Sequence, residues 1–139
     1  MTNLDMARSY LRRAQIILQE AEGLFREQVW NLVVRRAQEA VELALKGLLR
    51  YAGLEVPHVH DLAGYLRQNQ ERLPRAVSAQ LDRLISISRR LSEEREISFY
   101  GDEVLEVPPE ELYTQQDAEA ALAEARIVLG VCSEAVPKP

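Results

Sequence analysis

The stretch that decides the fold is VRRAQEAVELALKGLLRY, residues 34–51. Small and aliphatic residues recur in it at intervals of three and four, the spacing that places side chains on one face of an α-helix. Glu42 and Lys46 lie four residues apart with the acid first, which is the favourable order for an ion pair along a helix. The stretch therefore predicts a long helix with polar side chains beside an apolar face formed by Ala37, Ala40, Val41, Ala44, Leu45, Leu48 and Leu49.

Amphipathic segments around this stretch predict further helices. We expect a first helix that is capped by Asn3 and ends near Gly23, followed by the central helix from about Glu27 to Tyr51. Asp61 is placed to cap a short third helix, and Pro74 suits the first turn of a fourth. The fourth helix is expected to bury Val77, Leu81, Leu84, Ile85, Ser88 and Leu91.

The C-terminal part of the chain changes character twice. Residues 98–111 lose the helical period and contain a glycine and two prolines, so they predict a long irregular loop of the kind that is often functional. Thr114 then caps an alanine-rich last helix, and the tail after Val136 is expected to fray. Without a strand pattern, repeat or linker, the sequence predicts a single domain (residues 1–139), all-α, folded as an antiparallel bundle of four to five helices.

Composition excludes several classes of protein. The chain has 17 basic and 22 acidic residues, and its net charge of −5 disfavours a broad nucleic-acid-binding surface without excluding a local basic groove. Cys132 is the only cysteine, so the chain cannot form an intrachain disulfide or a cysteine-based metal site. Since no apolar run approaches the roughly 20 residues of a membrane span, we expect a cytoplasmic protein that makes no membrane contact.

Common enzyme signatures are missing. The sequence has no phosphate-binding GxxxxGK[ST] or GxGxxG, no Gly-x-Ser-x-Gly turn and no DNA-binding motif. His58 and His60 lack a clear third ligand, so we expect no metal and no cofactor.

Three pieces of sequence occur in an informative order: Ala40-Val41-Glu42 with Lys46, then His60-Asp61-Leu62, then Arg95 to Asp102. On these pieces the chain, from about residue 4 to 132, resembles the HEPN domain, a small all-α prokaryotic family often encoded beside a minimal nucleotidyltransferase. The resemblance implies a helical bundle that forms a homodimer. It also implies a place in a two-component system of toxin–antitoxin type, because family members act as ribonuclease toxins, as partners of nucleotidyltransferases, or as non-catalytic modules that bind nucleotide or RNA.

The chain departs from the ribonuclease members at one position. Those members carry an arginine, four to six further residues and then a histidine, whereas here Arg95 is followed at the short spacing by Tyr100. A tyrosine phenol, with an ordinary pKa of about 10, is a poor base at neutral pH. The resemblance thus favours a binding module for nucleotide or RNA phosphate. The alternatives are a metal-independent ribonuclease that uses Arg95 with Tyr100 or His60, and a purely structural dimerisation module.

Five residues are the candidates for a site. The Arg95 guanidinium could clamp a phosphate and the Tyr100 phenol could orient a sugar or phosphate oxygen. Alternatively, Arg95 pairs with an acid of its own loop and Tyr100 packs as an aromatic plug. His60 could contact a ligand beside Arg95 or simply hold its turn in place. Glu42 and Lys46 could form a buried polar pair at a dimer seam or an ordinary surface ion pair.

Overall fold

The computed structural model describes residues 1–139, and its helices are joined by turns, irregular connections and one isolated β-bridge. The predicted all-α bundle is confirmed. It contains four long helices and three short ones, and the sequence did not predict every one of the short helices. None of the helices combines the length and the apolar character needed to cross a membrane. The seven helices are α1 (Asn3–Arg26), α2 (Trp30–Tyr51), α3 (Ala63–Gln68), α4 (Arg75–Ser78), α5 (Leu81–Glu93), α6 (Arg95–Tyr100) and α7 (Gln115–Ala135).

Helix α2 is the centre of the bundle. It packs most extensively against α1 and α7, and it also contacts α5 and α6. Twelve of its 22 residues are buried, among them all seven small and aliphatic residues that the helical spacing predicted. The core is therefore organised around the stretch that decides the fold.

The helix caps agree with the prediction at α7 and differ at α1. Both helices begin with a threonine whose side chain accepts a hydrogen bond from the backbone of the acid three residues later, while that acid bonds back to the threonine N–H. Thr114 is the predicted cap of α7, but Thr2 and not Asn3 caps α1. Asn3 lies in the first turn, where its Oδ1 accepts a hydrogen bond of 3.0 Å from Nε of Arg50.

The turn between α1 and α2 lies later in the chain than predicted. Gly23 does not end α1, because its carbonyl still accepts a hydrogen bond from the Glu27 N–H. Gln28 takes up a left-handed backbone conformation with φ of 63°, and the central helix begins at Trp30 and not at Glu27. Trp30 and Phe25 close the turn with an edge-to-face contact between rings 5.1 Å apart.

The middle of the chain holds the predicted side chains but not the predicted helix. The expected fourth helix is divided into α4 and α5 because Gln80 leaves helical geometry, with φ of −117° and ψ of 12°. All six side chains predicted for its inner face are nevertheless buried. Asp61 does support the start of α3, since its Oδ1 accepts a hydrogen bond of 3.0 Å from the Ala63 N–H.

The predicted irregular loop is wrong at its beginning, since helix α6 continues through Ser98 to Tyr100. Beyond it, two backbone hydrogen bonds of 2.9 Å join Asp102 and Val107 and close a tight turn. Gly101 has φ of 75°, and a Cβ there would lie 2.3 Å from the Val107 carbonyl oxygen. Only glycine fits this position.

Helices α1 and α2 approach closely at Gly47. A Cβ at this position would lie 2.9 Å from Cβ of Tyr10 and 3.1 Å from the carbonyl oxygen of Ala7. We predict that Gly47→Ala lowers the free energy of unfolding by about 1–3 kcal/mol through overpacking, although alanine is intrinsically better than glycine in a helix by about 1 kcal/mol.

Gly130 of α7 provides the matched control, because nothing lies within 4 Å of a Cβ added there. Gly130→Ala should raise the free energy of unfolding by about 0.5–1 kcal/mol. Urea denaturation of the two variants measures both effects. Stabilisation by both substitutions would show that the helices do not meet at Gly47.

Candidate functional site

Four of the five predicted site residues meet at one carboxylate. The Nζ of Lys46 donates a hydrogen bond of 2.9 Å to Oε2 of Glu42, and the Nδ1 of His60 lies 2.9 Å from Oε1. The Nη1 of Arg95 lies 3.9 Å from the same Oε1. Together with Gln38, these residues are called the Glu42 cluster below.

Gln38 is the member that was not predicted. Its side chain is buried, its Nε2 donates to Oε1 of Glu42 at 3.1 Å, and its Oε1 accepts from Nη1 of Arg95 at 2.7 Å. Gln38, Glu42 and Lys46 follow each other at intervals of four along α2, so they form a line on the helix surface. This spacing of four residues is the feature of the sequence from which Gln38 could have been predicted as a member of the cluster.

Three separate parts of the chain supply the cluster. Helix α2 carries the line of polar residues, the segment between α2 and α3 brings His60, and Arg95 is the first residue of α6. Two further bonds fix α6 on α2: Asn31 Nδ2 donates to the Ser98 carbonyl at 3.0 Å, and Arg35 Nη1 donates to the Arg95 carbonyl at 2.7 Å. The cluster therefore fastens α6 and the His60 segment to the central helix.

Electrostatics keep Glu42 ionised. Burial raises the pKa of its carboxyl group, but hydrogen bonds from Lys46, Gln38 and His60 together outweigh burial and hold the pKa below its ordinary value of 4.5. The side chain of Glu42 is 12% exposed, and that of His60 is 54% exposed. One carboxylate thus faces the two basic side chains of Lys46 and Arg95, and the cluster opens to solvent at His60.

Arg95 points inward. Its side chain is 18% exposed, and its guanidinium bonds to Gln38 and not to an acid of its own loop, so that alternative is wrong. The Nε of Arg95 is buried without a hydrogen-bond partner.

Tyr100 lies apart from the cluster. It ends α6, its side chain is among the exposed hydrophobic ones, and its ring packs edge-to-face on Phe99 with 4.9 Å between centroids. No hydrogen bond joins its phenol to the Glu42 cluster. The structure therefore does not bring Tyr100 and the Arg95 guanidinium together.

The surface around Tyr100 is acidic and apolar. Residues 93–119, called the acidic segment below, contain ten of the 22 acidic residues and a single base, the inward-pointing Arg95. Six of the nine exposed large hydrophobic side chains also lie in this segment. A surface of this charge repels nucleic-acid phosphates. The six are Ile97, Phe99, Tyr100, Val104, Leu105 and Leu112.

The two histidines lie in different surroundings. His60 contacts Glu42, whereas His58 lies outside the cluster. Nowhere in the chain do three or more His, Cys, Asp or Glu side chains meet in an arrangement that could hold a metal ion.

Fold and cluster together define a small all-α domain whose central helix carries a partly buried polar network. Comparison with known proteins identifies it further. The HEPN domain profile matches residues 7–135. The chain therefore belongs to the HEPN domain family, as the sequence resemblance predicted.

Two solved structures have the same fold. One is TT1696 from Thermus thermophilus, with 30% sequence identity, a TM-score of 0.78, and coverage of 92% of this chain and 96% of that one. The other is ST0689, an archaeal HEPN homologue, with 23% identity, a TM-score of 0.72, and coverage of 94% and 98%. A comparison with curated proteins found no match to the chain.

The lowered pKa of Glu42 has a testable consequence for stability. Because the folded-state pKa lies below the unfolded one, the ionised carboxylate stabilises the fold above about pH 4.5, and this stabilisation is lost as the pH falls through the folded-state pKa. We predict that Glu42→Gln lowers the free energy of unfolding at pH 7 by about 1–3 kcal/mol. The difference from the wild type should shrink on acidification.

Urea denaturation at a series of pH values measures this difference. Glu134→Gln is the matched control, because Glu134 is exposed on α7 and makes no hydrogen bond through its side chain. A gap between wild type and Glu42→Gln that stays constant with pH would contradict the electrostatic role of Glu42.

Proposed function

We propose that this chain is a non-catalytic HEPN binding module, homodimeric, that acts as the partner of a minimal nucleotidyltransferase in a two-component system of toxin–antitoxin type. The observation that carries the proposal is the separation of Arg95 from Tyr100. A ribonuclease of the arginine–histidine type needs a phosphate-binding cation beside a group that accepts the proton of the ribose hydroxyl. In this chain the residue at the histidine position is Tyr100, whose ring packs on Phe99, while the Arg95 guanidinium bonds to Gln38.

The ribonuclease alternative retains one possible base, His60. Its ring is held by the Glu42 carboxylate, and a carboxylate commonly orients a catalytic histidine in this way. Arg95, however, already donates to Gln38, and its side chain is only 18% exposed. This arrangement favours binding over cleavage.

The acidic segment supports a protein as the partner. Exposed apolar side chains are concentrated there, as they are on protein-binding surfaces. The ten carboxylates among them disfavour a polyanion such as RNA at the same surface.

Two measurements on the purified protein test the proposal. Calorimetry with a minimal nucleotidyltransferase from the same genome should give a saturable heat. Incubation with a mixed panel of RNAs in EDTA should give no cleavage above that of the Arg95→Ala and His60→Asn variants. Cleavage by the wild type that disappears in both variants would establish a ribonuclease that uses His60, and the absence of any heat would remove the proposed partner.

Binding of a phosphate group at the Glu42 cluster is a second candidate function. The cluster has two basic side chains against one carboxylate, an Arg95 Nε without a hydrogen-bond partner, and an opening to solvent at His60. An entering phosphate would compete with Glu42 for Lys46 and His60. The negative charge of the acidic segment disfavours a long RNA, so a small ligand such as a nucleotide fits the chain better.

Chemical-shift titration of the protein with AMP and ATP at low ionic strength tests this candidate. We predict that the shifts concentrate on residues 38–46, 58–62 and 95, and that Lys46→Gln weakens binding by about tenfold, as expected for the loss of one charge-assisted contact. Arg67→Gln is the control, since Arg67 pairs with Asp82 on the exposed surface. Shifts that are scattered over the surface, or unchanged in Lys46→Gln, would exclude the site.

A further inference from the structure

A cleft of about 450 Å³ lies between α5, α6 and α7, and none of its lining residues belongs to the Glu42 cluster. Its volume falls within the range of ligand-binding sites in proteins. The apolar lining comes from α2, the three surrounding helices and the segment before α7. It consists of Val34, Leu91, Ile97, Leu112, Ala120 and Ala121.

Carboxylates surround this apolar lining. Glu94, Asp102 and Asp117 lie on the wall of the cleft, and each is held in place by a contact within the chain. Asp102 accepts hydrogen bonds from two backbone N–H groups of its turn, and Asp117 accepts one of 2.9 Å from the Thr114 N–H. The carboxylates therefore occupy defined positions before any partner arrives.

Glu94 is fixed by a tyrosine of the same cleft. The hydroxyl of Tyr113 donates a hydrogen bond of 2.5 Å to Oε2 of Glu94. Burial, followed by the hydrogen bond and charge of Glu94, raises the pKa of Tyr113, so its hydroxyl stays protonated and acts as the donor. The only base in the cleft is Arg90, which pairs with Glu124, so the net charge of the cleft is negative.

The turn beside the cleft adds two apolar side chains. Val104 is 92% exposed and Leu105 is 71% exposed. Their backbone N–H groups bond to Oδ1 of Asp102 at 3.1 and 3.0 Å, which fixes the backbone of the turn that carries them. Glu103 and Glu106 flank them, so the pattern of apolar residues beside carboxylates continues from the cleft onto the turn.

We propose that this cleft and turn are the docking site for a segment of a partner protein that carries an aliphatic or aromatic anchor flanked by lysine or arginine. The anchor fits the apolar lining, and the flanking cations face Glu94, Asp102 and Asp117. This inference rests on the proposed function only in assigning a protein as the partner, and it specifies the chemistry of the segment that is bound.

Charge complementarity favours a basic protein segment over a second copy of this chain, an anionic membrane or an RNA. A second copy docking through the same face by two-fold symmetry would place carboxylates against carboxylates, which opposes association. An anionic membrane or an RNA would meet the same repulsion. A basic, apolar protein segment is the occupant for which both parts of the site are complementary.

Fluorescence anisotropy with labelled peptides tests the proposal on the full chain. The probe is a short helical peptide of leucine and lysine; the matched peptides replace its lysines with glutamate or its leucines with serine. We expect saturable binding of the first peptide only, weakened by salt, with amide shifts on α6, the turn and the start of α7. Ala120→Trp, which fills the cleft from an exposed position, should weaken binding at least about tenfold.

Ala123→Trp is the matched control, since Ala123 is exposed on the same helix but does not line the cleft. Equal binding of the serine–lysine peptide would reduce the site to non-specific charge attraction. Binding unaffected by Ala120→Trp would place the peptide elsewhere, and cleft amides that shift with protein concentration would assign the face to a second copy. Each result would overturn the inference, while the calorimetry with a nucleotidyltransferase judges the proposed function separately.

Discussion

The structure depends on an ionised carboxylate that is largely buried on the central helix. Glu42 lies on the helix that contacts most of the bundle, and an unpaired charge there would destabilise the fold by several kcal/mol. The chain satisfies it in two ways. Lys46 and Gln38 come from the same helix at intervals of four residues, and His60 is brought in from the following segment. The contact between His60 and Glu42 therefore positions the connection between α2 and α3, together with the packing of the apolar residues in that connection.

The same requirement explains the direction of Arg95. The side-chain amide of Gln38 donates a hydrogen bond to Glu42, so its oxygen points towards the beginning of α6. There the oxygen accepts a hydrogen bond from Arg95. The guanidinium is in this way made part of the Glu42 cluster and withdrawn from the surface. Tyr100 lies five residues later, at the far end of a helix of fewer than two turns, and faces solvent with Phe99. Tyr100 therefore makes no contribution to the Glu42 cluster.

The long elements and the cluster differ in how far the sequence predicts them. The spacing of apolar residues predicts α1, α2 and α7 because each runs for more than five turns, and the Glu42–Lys46 pair follows from spacing alone. His60 and Arg95 could be assigned to a site only through the family resemblance, since their meeting at Glu42 is a tertiary contact. Helix α6 was not predicted because its six residues are too few to show a helical period in the sequence. Hydrogen bonds from Asn31 and Arg35 stabilise it, since so short a helix is not stable on its own.

Helix α6 thus separates two surfaces of opposite character. Its first residue, Arg95, lies beside the largely buried carboxylate of Glu42. The helix also belongs to the acidic segment, which holds nearly half of the acidic residues and most of the exposed large hydrophobic ones. The remaining 112 residues contain 16 basic and 12 acidic residues, so the negative net charge of the chain comes from this one segment. An average over the whole sequence hides this asymmetry. A net charge of −5 is unremarkable for a helical bundle, but carboxylates gathered around exposed leucine and valine side chains favour a basic, apolar protein over a nucleic acid at this face.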